Sequence, residues 1–102
     1  MELGGKSPQI VFADADIEEV IPVVTAAIVQ NAGQTCSAGA RVLVEDEILT
    51  EFIEKLSAAF SELVVGTPSM DLNLGPLINR TQHRRIERYC DQAETDLSLI
   101  HI

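Results

Sequence analysis

Apolar positions along the 102-residue chain change their period several times, and each change marks an element. Ile10, Val11 and Phe12 form a short continuous apolar run behind Pro8, which predicts a buried strand over 9–12. Ile17, Val20, Ile21, Val24 and Ile28 then recur at the spacing of one helical face. Asp16 stands just ahead of them with Glu19 three residues on, a capping-box spacing with Asp in place of Ser or Thr. Pro22 lies inside this pattern and predicts a kink or a split, because it removes one donor and crowds the carbonyl four residues back. Gly33 predicts the end of the helix. A second strand is expected over Arg41, Val42, Leu43 and Val44. Leu49, Phe52, Ile53, Leu56, Phe60 and Leu63 follow as the clearest amphipathic helix. Val64, Val65 and Gly66 read as a short strand, Thr67-Pro68 as a turn, and residues 71–79 as a loop. From about Thr81 a polar helix is expected to turn Ile86, Tyr89, Cys90 and Ala93 inward.

Strands separated by helices predict an α/β fold with a largely parallel sheet. The length suits one small domain, and no repeat or low-complexity segment interrupts it. Both ends read as cut. The first residues lead straight into a glycine turn and a strand. The last six, LSLIHI, follow a charged helix abruptly and match the in-frame translation of a common sequencing adapter. Residues 97–102 are therefore expected to be a non-native tail, the alternative being an ordinary next strand.

Composition narrows the partners. With 46% hydrophobic residues the chain can bury a core, and at 4% aromatic that core must be aliphatic. A net charge of −9 repels nucleic acid and anionic membrane, so neither is expected as a partner. The one basic cluster, His83-Arg84-Arg85, runs into Ile86 and Glu87 and reads as a solvated helix face. No apolar run approaches the roughly 18 residues of a membrane span, and the start lacks the pattern of a signal peptide. A cytoplasmic location is the default expectation. The two cysteines and two histidines show no ligand spacing, so no metal site is expected.

The candidate chemistry lies in residues 31–41, NAGQTCSAGAR, where Cys36 sits among small and polar residues. A reactive thiol needs access, room for a substrate and nearby N–H donors, and this composition supplies all three. A free cysteine packed under a loop is the competing reading. Cys90 falls on the expected inward stripe of the last helix, where cysteine behaves as a small hydrophobe. Glu2 precedes Leu3 and the Gly4-Gly5 pair, which permits close backbone approach. Gly5-Lys6-Ser7 is not a phosphate loop: the motif's earlier glycine would precede Met1, and Pro8 opens a strand where a helix is required.

Taken together, MELGGKSP resembles the glutamate signature of aldehyde dehydrogenases, and NAGQTCSAGAR resembles their cysteine signature, of form GQxCxAGxR. The order and the separation of 34 residues (36 − 2) also fit. The likeness extends through PQIVFADADIEEVIP and the later VGTP and GPLIN stretches, covering roughly residues 1–95. Ala40 replaces the serine commonly found before the arginine. The resemblance implies residues 1–96 to be part of an aldehyde dehydrogenase catalytic domain, with 1–4 at the edge of a cofactor domain lying outside this chain. It implies Cys36 as nucleophile, Glu2 as general base, the Cys36 amide as half of an oxyanion hole, and Leu3 and Gly4 beside the nicotinamide of NAD or NADP. It also implies a small-molecule aldehyde substrate and a homo-oligomeric parent. The segment by itself is expected to be inactive.

Two other readings remain. A CoA-acylating relative would share the thiol chemistry, but such members commonly lack the base at Glu2. A non-catalytic interaction module would be complete in itself.

Overall fold

A computed structural model describes residues 3–96, so the expectations for Glu2 and for residues 97–102 lie outside the described residues. Strand β1 (Pro8–Val11), helix α1 (Ile17–Val29) and strand β2 (Arg41–Val44) form a β-α-β unit, followed by α2 (Leu49–Ser61) and α3 (Arg80–Thr95). The strands are parallel, with Pro8 opposite Arg41 and Val11 opposite Val44. The α/β class is therefore as the periodicity predicts.

The register sorts the sheet into two faces. Val11, Val42 and Val44 point at α1 and α2, where Val11, Ile21, Val24 and Phe52 form the core, with Ile17, Val20, Ile28, Leu56 and Ala59 packed around them. Phe52 is the largest fully buried side chain, at 1% exposure. The opposite face is open: Ile10, Phe12 and Leu43 are all at least half exposed. Strands expected to be buried are thus buried on one side only. Their continuous apolar runs suit a parallel sheet covered on both faces, and the described residues supply one helical layer.

Helix α1 begins as its sequence demands. Asp16 is the N-cap and its carboxylate accepts from the Glu18 and Glu19 amides at 3.0 and 3.4 Å. The expected break at Pro22 does not occur, and the helix runs through it to Val29. Pro22 is only six residues in and exposed, so the one backbone bond it removes falls near the start of the helix. Lys55 of α2 bonds Glu18, tying the two helices together. That hydrogen bond is the main cause raising the Lys55 pKa above its ordinary value, against a smaller opposing desolvation.

The end of the chain departs most from expectation. Val65 and Leu74 form a single parallel bridge rather than a strand. Helix α3 buries none of its residues: Ile86 and Tyr89 are 45% and 61% exposed, and Cys90 is exposed as well. An amphipathic stripe becomes an inward face only when another element stands opposite, and among the described residues none does.

Candidate active site

Helix α1 does not stop at Gly33 as expected. It ends at Val29, and a tight turn over Gln30–Gly33 follows. Within it Asn31, Ala32 and Gly33 all take left-handed backbone angles, with φ of 50°, 56° and 73°. Glycine adopts this region freely and asparagine tolerates it, whereas for Ala32 it costs about 1–2 kcal/mol. Hydrogen bonds hold the turn. The Gln34 amide and its Nε2 both donate to the Asn31 carbonyl, at 3.1 and 3.0 Å, and Asn31 Nδ2 donates to the Gln34 carbonyl at 3.1 Å.

The chain then reaches Cys36, which is exposed in a tight turn closed by the Ala38 amide donating to the Thr35 carbonyl at 3.1 Å. The Gly39 amide donates to the Ala27 carbonyl at 2.9 Å and pins the loop to α1. Among the described residues the Cys36 amide has no acceptor.

Against this loop lies the segment ahead of β1. A Cβ placed on Gly5 would fall on the Cys36 carbonyl oxygen and within 3.2 Å of its carbon, so only glycine permits the approach. Ser7 Oγ donates to the same oxygen at 3.4 Å. Gln9 Nε2 reaches the Gly39 carbonyl at 3.3 Å, and Arg41 Nε reaches the Lys6 carbonyl at 3.2 Å. Residues distant in sequence are thus locked side by side because both enter adjacent strands of the parallel pair. Leu3 is 71% exposed, and the space around Gly4 is open.

The two stretches that carry the expected chemistry are therefore in contact, through Gly5 and Ser7 on one side and Cys36 on the other. Leu3 and Gly4 stand at the free end of the same segment, and Glu2 lies outside the described residues. Burial does not separate the two thiols, since Cys90 is exposed too, contrary to its expected packing; what separates them is the backbone around Cys36. Sequence reasoning missed Gln34, Gln9 and Arg41. Their partners are 29 or more residues away or on backbone atoms, and nothing in residue type announces that. No group of three or more His, Cys, Asp or Glu among the described residues could hold a metal. No described helix is long and apolar enough to cross a membrane.

The chain matches the family model described as "Aldehyde dehydrogenase family" across residues 1–100. It belongs to the aldehyde dehydrogenase family. A Staphylococcus aureus protein assigned as an aldehyde dehydrogenase is 42% identical over 94 residues, covering 91% of this chain and 20% of that protein. The crystal structure of a Burkholderia cenocepacia protein with the same assignment superimposes with a TM-score of 0.90 at 54% identity, over 93% of this chain and 20% of that one. Betaine aldehyde dehydrogenase from Staphylococcus aureus, solved with NAD+, superimposes with a TM-score of 0.86 at 36% identity, over 93% and 19%. The chain spans about a fifth of the length of these aldehyde dehydrogenases.

Proposed function

We propose that this chain is part of an NAD(P)+-dependent enzyme that oxidises an aldehyde to a carboxylic acid, with Cys36 as its nucleophile. The observation that supports the reading is the fit of Gly5 against the Cys36 backbone, which sets the segment ahead of β1 beside the loop of the exposed thiol. A segment held there can present a base and a cofactor surface to the same sulfur.

The Cys36 thiolate attacks the aldehyde carbon and forms a thiohemiacetal, while the carbonyl oxygen takes on negative charge. The Cys36 amide, with no acceptor among the described residues, donates to that oxygen as part of an oxyanion hole. NAD(P)+, when bound, would supply the hydride acceptor for oxidation of the adduct to a thioester. Leu3 and Gly4 would border the reactive end of that cofactor; Leu3 is exposed and the space around Gly4 is open. Glu2 then removes a proton from water, which attacks the thioester, releases the acid and frees Cys36. The small side chains at Gly33, Ser37, Ala38 and Gly39 leave the sulfur accessible to both.

In the whole protein, Cys36→Ala should abolish aldehyde-dependent NAD(P)H formation, and Cys90→Ala should leave most of it. Equal loss from both substitutions, with folding intact, would overturn the assignment. The cytoplasm is the location that goes with this proposal by default.

A further inference from the structure

Gln34 lies two residues before Cys36 and is half-buried, and its side chain bonds at both ends. Its Nε2 donates to the Asn31 carbonyl at 3.0 Å, inside the left-handed turn. Its Oε1 accepts from the Ile78 amide at 2.8 Å, across 44 residues of sequence. Ile78 precedes Asn79, whose side chain caps α3 by accepting from the Gln82 amide at 2.9 Å. One side chain thus ties the cysteine loop to the loop that launches the last helix.

The two ends are not equivalent. Asn31 keeps two other bonds to Gln34, from the Gln34 amide and to the Gln34 carbonyl, so the turn survives loss of the Nε2 donor. The Ile78 amide has Gln34 Oε1 as its partner. We infer that Gln34 is a positioning residue for the Cys36 loop, acting through its Oε1 bond to the Ile78 amide rather than by touching the reactants. The inference rests on the reading of Cys36 as nucleophile. Without that bond the turn at 31–33 is held from one side only, and the sulfur two residues on loses its fixed place. Reaction geometry is sensitive to shifts of about 1 Å, whereas binding of a small aldehyde is not.

The test uses the whole protein and two variants. Gln34→Met keeps the length and removes both polar ends; Gln34→Glu keeps the acceptor for the Ile78 amide and replaces the donor to Asn31 with a carboxylate oxygen. Gln34→Met should lower kcat about tenfold or more with the aldehyde KM within threefold, and with the folded fraction of the parent. A merely structural defect would lower the folded fraction, read by circular dichroism, in step with kcat. Gln34→Glu should stay within threefold of the parent, and this arm stands even where Gln34→Met does not fold. Parental kcat in Gln34→Met, or a tenfold loss in Gln34→Glu, overturns the inference. Cys36→Ala run alongside separates the two ideas, because retained activity there removes the nucleophile assignment whatever Gln34 does.

Discussion

Gly5 has room for no side chain, because the Cys36 carbonyl occupies the place of its Cβ. In the whole protein Gly5→Ala should therefore displace the cysteine loop or the segment ahead of β1. The expected costs are about 1–3 kcal/mol of stability from overpacking and at least a tenfold fall in kcat. Parental kcat in a folded Gly5→Ala enzyme would mean that the two stretches need not touch. Glu2 makes a different prediction. Glu2→Gln should slow steady-state turnover while a first burst of NAD(P)H survives, since hydride transfer precedes hydrolysis. A steady-state rate equal to the parent's would remove Glu2 from deacylation. The thiol at position 36 could be picked out from its small, polar neighbours. The need for glycine at position 5 could not, because it depends on a carbonyl 31 residues later (36 − 5).

At the scale of elements, local signals predicted the helices and strands where one residue type dominates the outcome. Asp16 sets the start of α1 by bonding two amides, and the apolar repeat of α2 sets its buried face. Pro22 misled, since its effect depends on where in the helix the lost bond falls. The buried face of α2 centres on Phe52, which touches both α1 and the sheet core. Phe52→Ala should cost about 3–5 kcal/mol, measured as a lowered midpoint of denaturant inactivation. An unchanged midpoint would show that the α1–α2 core contributes little to stability. Helix α3 marks the opposite case. Its stripe is as periodic as that of α2, yet it stays exposed because no element among the described residues faces it.

At the scale of the molecule, the described residues form one helical layer over one side of a two-stranded parallel sheet. Ile10, Phe12 and Leu43 leave the other side apolar and exposed. The 102-residue chain expressed alone should therefore self-associate, seen as concentration-dependent light scattering and binding of a hydrophobic dye. Replacing Ile10, Phe12 and Leu43 together by threonine should reduce both signals. The chain alone should also give no aldehyde-dependent NADH, as it spans about a fifth of its relatives' length. A monodisperse monomer with an unchanged apolar surface would contradict this picture, as would turnover by these residues alone. The sequence by itself determined the order of β1, α1, β2, α2 and α3, the parallel α/β class and the family. These depend on neighbours within a few residues, or on motif spacing that sequence displays directly. Only the tertiary structure decided that Gly5 meets Cys36, that Gln34 reaches Ile78 and that α3 and one sheet face stay uncovered. Contacts between distant residues follow from strand register and from which elements are present to cover a surface, and neither is written at any single position.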